Sequence, residues 1–234
     1  MDSQSVAHAA AGADSAGRLI RWALALGLLA LHPPAAQALD VLPAPYRAAA
    51  AAGAVGSVTG RVYEERRRPD GSDQPLAGAA VTLLPRSAQF LEKLEAVKRT
   101  SRNSMHDYRA AAPAIQTLKA AYEKELWDSG AVDLVMGTIV ASDGRFSVEN
   151  LPAGDWVLFV TSSVATDKKV VESKGARKER GVYVPGTYLT GYQRLTVWLR
   201  EITVSGGRAE NVELIGRGAW FSGVVEERAP DASR

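Results

Sequence analysis

The residues of this chain that could perform acid–base chemistry are mainly carboxylates. Its 234 residues include 26 aspartates and glutamates but three histidines and no cysteine. Asp133, Asp143 and Asp155 lie near the ends of predicted strands, where two acids could act together as general acid and base. Asp143 and Asp155 are better explained as turn residues, because Asp143 begins an Asp-Gly turn. A hydrolase that uses these carboxylates is therefore the least favoured function.

Histidine and cysteine offer little further chemistry. Beyond the N-terminal leader described below, the one histidine is His106. A lone histidine near a helix start is usually a surface residue, and no Gly-x-Ser-x-Gly elbow accompanies it. Without cysteine the chain has no disulfide, no thiolate metal site and no lipid-anchor cysteine. Calcium requires several oxygen ligands close in sequence, and no such run occurs. We predict no catalytic residue, no cofactor and no bound metal.

Three aromatic residues are the candidates for ligand binding. They are Tyr188, Tyr192 and Trp220, each close to a predicted strand. A row of exposed rings would favour sugar binding, because aromatic rings offer a large rigid surface that also carries a polar group. Packing within the protein is the competing explanation for all three.

The N-terminal segment has the pattern of a secretory signal peptide. Arg18 and Arg21 precede an apolar run over residues 22–31, and Ala36-Gln37-Ala38 follows as a cleavage site. The run is well short of the ~20 apolar residues that a membrane span requires. We predict that residues 1–38 are removed and that the mature protein is periplasmic or secreted, with no transmembrane span. The formal net charge of +2 gives no reason to expect a nucleic-acid partner.

The clearest strand signal runs from Asp143 to Val160. Phe146 and Val148 alternate with polar residues, and a second alternating run that starts at Trp156 follows a Leu-Pro-Ala-Gly sequence. This pattern predicts an antiparallel strand pair, with Phe146 and Trp156 buried and facing the opposite sheet. Further strands are predicted over 57–63, 79–84, 132–140, 193–199, 202–204 and 209–215, with a bulge near Arg200-Glu201 and an edge strand over 221–225.

The apolar period changes to that of a helix between the second and third predicted strands. Two helical stripes lie within residues 87–129, with Ser87 and either Ser104 or Asp107 as N-caps and Gly130 as the stop. They predict an inserted αα-hairpin. Its apolar side chains either pack on the sandwich or offer a face to a partner. The packing stripe is predicted to include Ile115, Leu118 and Tyr122, and the sandwich is expected to fold without the hairpin.

The remaining segments have compositions typical of linkers and loops. Residues 39–55 are rich in alanine and proline and are predicted as a tether or a frayed short helix outside the core. The charged segment 164–181 is predicted as a flexible loop, and residues 227–234 as a disordered tail. The folded domain is assigned to residues 56–226.

Four short motifs, in order along the chain, resemble the carboxypeptidase regulatory-like domain. They are Gly60-Arg61-Val62, the segment from Pro75 to Leu83, the stretch from Asp143 to Val160, and the segment from Ile202 to Leu214, which is similar to the family's last hairpin. The resemblance implies a transthyretin-like (prealbumin-like) sandwich, grouped by fold with starch-binding-like modules. It implies no peptidase activity, because the metallocarboxypeptidase that lends the family its name keeps its zinc site in a separate domain. Hydroxyisourate hydrolases and intradiol dioxygenases share related architecture, but they need more histidines than this chain offers.

The sequence therefore predicts a mainly β protein. Its fold is an antiparallel transthyretin-like or immunoglobulin-like β-sandwich with an inserted α-helical hairpin, preceded by a signal peptide. The leading function is an exported, non-enzymatic module that binds or scaffolds an envelope protein or polysaccharide. The alternative is a carbohydrate-binding module of the starch-binding-like fold. The sequence predicts no oligomeric state.

Overall fold

Two β-sheets enclose the core in the computed structural model, which describes residues 40–65, 73–166 and 187–230. The four-stranded sheet contains β1 (Val55–Glu64), β2 (Gln74–Pro75), β5 (Arg145–Pro152) and β8 (Ala209–Ile215). In it, β1 pairs antiparallel with β2 and β5, and parallel with β8. The five-stranded sheet contains β3 (Ala80–Pro85), β4 (Met136–Ile139), β6 (Gly154–Ala165), β7 (Thr187–Val204) and β9 (Phe221–Pro230). These strands are antiparallel in the order β4-β3-β6-β7-β9, and the predicted mainly β sandwich is confirmed.

Alternating apolar side chains of both sheets fill the space between them. Phe146 on β5 is 5% exposed and Trp156 on β6 is fully buried, so their predicted burial is confirmed. Trp156 and a second buried tryptophan, Trp198, both have hydrogen-bond partners for their indole N–H groups. The Trp156 nitrogen donates to the Pro152 carbonyl at 2.9 Å, and the Trp198 nitrogen on β7 donates to the Ile215 carbonyl of the other sheet at 2.8 Å.

The predicted strand pair over residues 143–160 is wrong, although both of its strands exist. β5 pairs with β1, whereas β6 pairs with β3 and β7 in the other sheet. Ala153 alone separates the two strands and carries the chain from one sheet to the other. The segment similar to the family's last hairpin behaves in the same way, because β7 and β8 belong to different sheets. Proline and glycine suit both hairpin turns and these crossings, so the pattern did not distinguish them.

The segment predicted as a linker contains helix α1 (Pro43–Ala51), and part of it belongs to the core. Tyr46 is buried, its ring meets Trp156 edge-on at 5.1 Å between centroids, and its hydroxyl donates to the Asp155 carbonyl at 2.5 Å. Burial raises the pKa of the Tyr46 phenol. Outside the core, Arg47 donates to Asp133 at 2.8 Å. The short helix predicted as one alternative is present, but its placement outside the core was wrong, because its one aromatic residue is buried while alanine-rich composition indicated only weak packing.

The helical hairpin lies between β3 and β4, as predicted. Helix α2 (Ala88–Thr100) begins after Ser87, whose hydroxyl accepts from the Phe90 N–H at 2.9 Å. Helix α3 (Met105–Asp128) begins after Ser104, whose hydroxyl accepts from the Asp107 N–H at 3.0 Å. These bonds satisfy amide groups that a helix start leaves unpaired. Gly130, with φ of 73°, follows the end of α3.

The inner face of the hairpin packs on the five-stranded sheet. Phe90 stacks on Tyr122 with 4.7 Å between ring centroids and lies 6.5 Å from the ring of Phe159 on β6. Tyr122 also donates its hydroxyl proton to the Pro85 carbonyl at 2.9 Å, and Ile115 is fully buried. The predicted packing stripe is confirmed, and the hairpin is part of the core.

This cover explains why the predicted bulge near Arg200-Glu201 is wrong. β6 and β7 pair without interruption from Gly154–Val204 to Ala165–Gln193. The apparent change of side along β7 arises because this strand is buried on both faces. Leu195 and Val197 share the face of Phe159 and the hairpin, whereas Trp198 points to the other sheet. Apolar residues on both faces therefore reflect two layers of cover.

Three further boundaries differ from the prediction. β9 continues to Pro230, so residues 227–230 form strand where a disordered tail was predicted. β6 continues to Ala165, so the predicted charged loop begins later, and its remainder from 167 to 181 lies outside the described residues. The predicted third strand begins as a 3-10 turn at Val132–Leu134 before β4. The predicted signal peptide also lies outside the described residues.

Candidate functional site

A groove of about 830 Å³, lined mainly by polar residues, lies on the outer face of the four-stranded sheet. Neighbouring residues of three strands form two rows across it. The first row is Arg145 on β5, Arg61 on β1 and Glu213 on β8. The second row is Ser147, Thr59 and Asn211 on the same strands. Asp143 and Ala141 line the groove from the turn between β4 and β5.

Strand alternation places these six side chains outward. On β1 the alternate residues Val58, Gly60 and Val62 are buried in the core, so Thr59 and Arg61 point to the opposite face. On β5 the buried residues Phe146 and Val148 likewise leave their neighbours outward. The apolar core thus dictates which residues line the groove, and the pairing of three strands brings them together.

Gly60 keeps the middle strand close to its neighbours beneath the groove. A Cβ atom on this residue would lie 2.6 Å from the Phe146 ring, and closer still to the Val212 carbonyl oxygen. Real side chains do not tolerate such distances, so the Phe146 ring occupies the space that a larger residue would need. Glycine is therefore required by close packing at the floor of the groove.

The groove brings two arginines side by side. Arg61 and Arg145 are directly opposite each other on antiparallel strands. The Arg61 guanidinium carbon lies 5.0 Å from the centroid of the Tyr63 ring, within reach of a cation–π contact. Arg145 makes a loose ion pair with Asp143, at 3.7 Å between nitrogen and oxygen. Among the described residues, no carboxylate oxygen lies within 4.0 Å of the Arg61 guanidinium.

The three aspartates considered from the sequence lie at separate places. Asp133 pairs with Arg47, and the hydrogen bond from Arg47 lowers its pKa. Asp143 accepts from the Arg145 N–H in its turn at 3.0 Å, and Asp155 accepts from the Thr203 hydroxyl at 2.7 Å. All three are exposed, so they do not form the buried pair that a hydrolase would use. In the described ranges no group of three or more acids or histidines is placed to hold a metal.

The aromatic candidates lie on the five-stranded sheet, away from the groove. Tyr188 and Tyr192 are on β7, where they pair with Ala229 and Glu226 of β9. Trp220 directly precedes β9, so it lies about 20 Å along the strand from Tyr192. Its indole donates to Glu95 at 2.6 Å, and the Lys98 ammonium lies 4.8 Å from the ring centroid. The structure does not bring these three residues into one row, and their role in binding stays a prediction.

Sequence analysis missed all six residues that form the two rows. Each is polar and lies beside buried or half-buried residues of a predicted strand, so its outward direction was available from the alternation. The missing information was strand adjacency. β1 and β8 are about 150 residues apart in the chain and pair in parallel, a connection that no local turn signal announces.

Comparisons with known proteins give distant structural similarities and no family. No family model matches the chain, and no curated protein is similar to it in sequence. A Pseudomonas aeruginosa structure, provisionally named a carbohydrate-binding protein, is similar at 14% identity and a TM-score of 0.40, over 69% of this chain and 88% of that one. The Streptococcus agalactiae minor pilin GBS52 is similar at 11% identity and a TM-score of 0.28, over 77% of this chain and 48% of that one. The Streptococcus pneumoniae pilus backbone protein RrgB is similar at 12% identity and a TM-score of 0.23, over 67% of this chain and 40% of that one.

Identities and TM-scores this low carry no argument about fold or function, and the chain spans less than half of either pilin. The resemblance to the carboxypeptidase regulatory-like domain therefore stays a proposal. Within the described part of the chain, no helix has the length and apolar character needed to cross a membrane.

Proposed function

We propose that this chain is an exported, non-enzymatic binding module of the carboxypeptidase regulatory-like type, and that its groove binds a carbohydrate chain. The observation that carries the proposal is the double row of polar side chains on neighbouring strands. Together the rows offer hydroxyl, amide, carboxylate and guanidinium groups on one open surface. Saccharides present many hydroxyl groups, each of which donates and accepts hydrogen bonds, so a surface of mixed donors and acceptors suits them.

The groove also has an extent that suits a chain-like ligand. Its rows cross three strands spaced about 4.8 Å apart, so they span about 10 Å. The floor is held by Gly60 and by the buried Phe146 ring. A floor held by the core positions the polar groups before a ligand arrives, which reduces the entropic cost of binding.

A glycan array followed by calorimetry tests this proposal. The mature protein should bind at least one class of oligosaccharide. Replacing Thr59 and Asn211 together by Val and Leu should reduce that affinity about tenfold or more, since several hydrogen bonds are lost. The control is Ser222→Ala, an exposed position on β9, which should bind as the unchanged protein does. Absence of binding to every glycan on the array would reject the carbohydrate proposal.

A protein partner is the second candidate, and it is favoured by two exposed side chains on the hairpin. Met105 is 67% exposed and Trp127 is 66% exposed, at opposite ends of α3. A photo-crosslinking residue placed at position 127 in the exported protein should join to one defined envelope protein if the hairpin is a contact surface. The same residue at position 222 is the control. Crosslinks of equal strength from both positions would argue against a hairpin contact.

Export is a separate part of the proposal. It is supported by the basic and apolar leader and by the Ala36-Gln37-Ala38 sequence. Intact-mass measurement of protein recovered from the periplasm or medium should show an N-terminus at or within a few residues of Leu39. Recovery of the full-length chain in the membrane fraction would contradict cleavage.

A further inference from the structure

We propose that the groove recognises an acidic saccharide, whose carboxylate is held between Arg61 and Arg145. This inference rests on the proposed carbohydrate function and names the class of sugar. Its basis is the first row of the groove, in which two arginines lie directly opposite each other on neighbouring strands and a glutamate lies at the other end.

The opposed arginines are costly in the free protein. Like charges directly across an antiparallel pair repel, because their Cβ atoms are about 5 Å apart. The nearby carboxylate of Asp143 reduces this repulsion between the arginines only in part. Asp143 reaches Arg145 at 3.7 Å, which is beyond hydrogen-bond distance. An anion that bridges both guanidinium groups would remove the repulsion and satisfy their donors.

The orientation of Arg61 suits such an anion. Its guanidinium lies near the Tyr63 ring, at 5.0 Å from the centroid, and Tyr63 is itself buried. A guanidinium held against a ring has fewer conformations to lose on binding. Its planar array of N–H groups matches the two oxygens of a carboxylate.

The β8 side of the groove offers hydrogen-bond acceptors, in contrast to the two cationic arginines on β1 and β5. Asn211 and Glu213 on β8 are exposed and offer acceptor oxygens, with the Asn211 amide as an added donor. A second anionic group would be repelled by Glu213, whereas sugar hydroxyls can donate to it. The row therefore fits a ligand that is anionic at one end and hydroxylated at the other, which is the chemistry of a uronic acid.

Calorimetry with two matched probes tests the inference. The first probe is an oligomer of galacturonic acid, and the second is the same oligomer with its carboxyl groups methyl-esterified. We expect the acid form to bind about tenfold or more tightly, because a charge-assisted pair is lost on esterification. Binding of the acid form should also weaken as salt rises from about 0.05 to 0.5 M.

Variants locate the carboxylate. Arg61→Gln and Arg145→Gln should each reduce affinity for the acid form about tenfold or more, with little effect on the ester. Arg61→Lys should recover part of the loss, since it restores charge without the planar fork. The control Arg194→Gln, at an exposed position on β7, should leave affinity unchanged. Melting curves of all four variants check that they are folded.

The outcomes separate this inference from the function on which it rests. Equal binding of acid and ester, or an Arg61→Gln variant with unchanged affinity for the acid, overturns the acidic-saccharide inference. If the glycan array then shows binding to neutral glycans through the groove, carbohydrate binding stands alone. If no glycan binds, both proposals fail.

Discussion

The two sheets differ in what lies on their outer faces. The outer face of the five-stranded sheet is apolar and is covered by the helical hairpin, so Val157 and Phe159 are as buried as Trp156 and Leu158 on the other side of β6. The outer face of the four-stranded sheet is lined by polar and charged side chains that form the groove. One sheet is therefore a middle layer of the protein, and the other is a surface.

This difference separates stability from binding. Residues on both faces of the five-stranded sheet contribute to burial of apolar area, which is the main favourable term in folding. The six groove residues of the four-stranded sheet are exposed or half-buried, so they can vary in chemistry at low cost to stability. A binding site on that face can therefore change specificity without unfolding the protein.

Deleting the hairpin should have the largest effect. If residues 87–129 are replaced by a short Gly/Ser linker from Pro85 to Ala131, at least four large side chains lose their cover, among them Val157, Phe159, Leu195 and Val197. At about 1.5–3 kcal/mol each, this costs about 6–12 kcal/mol, comparable to the whole stability of a domain. We expect no cooperative melting transition and no near-ultraviolet circular dichroism, which replaces the expectation from the sequence that the sandwich folds without the hairpin. A cooperative transition in the shortened protein would show that the sheet does not need its helical cover.

Single substitutions on the two outer faces should differ clearly. Phe159→Ala, beneath the hairpin, should lower the free energy of unfolding by about 3–5 kcal/mol, because it leaves a cavity between sheet and helices. Ser147→Ala, in the groove, should change it by less than about 0.5 kcal/mol. Urea denaturation measures both values. Similar costs at the two positions would contradict the distinction between a covered and an open face.

Gly60→Ala tests the floor of the groove. The added methyl group would meet the Phe146 ring and the Val212 carbonyl, and we expect a loss of about 1–3 kcal/mol from overpacking. Gly218→Ala is the matched control, because no heavy atom lies within 4 Å of the added Cβ there. Urea denaturation should show a much smaller change for the control. Equal effects would mean that the close approach at Gly60 is not tight.

The smallest effect concerns the exposed ion pair that ties α1 to the turn after α3. The pKa of Asp133 is lowered from its ordinary value of 3.8, chiefly by its hydrogen bond with Arg47. A lowered pKa stabilises the fold above the ordinary value, and this stabilisation is lost as pH falls through the lowered pKa. Asp133→Asn should therefore lower the melting temperature slightly at pH 7 but not at about pH 2. A difference that persists in acid would point to a cause other than this charge.

The candidate site was predictable in part. The alternation around Phe146 and Val58 shows that Arg145, Ser147, Thr59 and Arg61 point outward. The aromatic candidates were chosen because rings often bind sugars, yet Trp220 is engaged by Glu95 and Lys98. The polar character of a single strand gives little warning of a site, because a site needs several strands to place their side chains together.

The sequence by itself determined the strand alternation, the Ser87 cap of α2 and the place of the hairpin between β3 and β4, and it narrowed the cap of α3 to Ser104 or Asp107. These features depend on contacts between residues a few positions apart, and their patterns are local. Only the tertiary structure decided that β5 and β6 lie in different sheets, that Tyr46 holds α1 on the core, and that β8 lies beside β1. Each of these depends on burial between distant segments, which competes with many alternative pairings of similar local pattern. The groove exists because the tertiary structure places β5, β1 and β8 side by side.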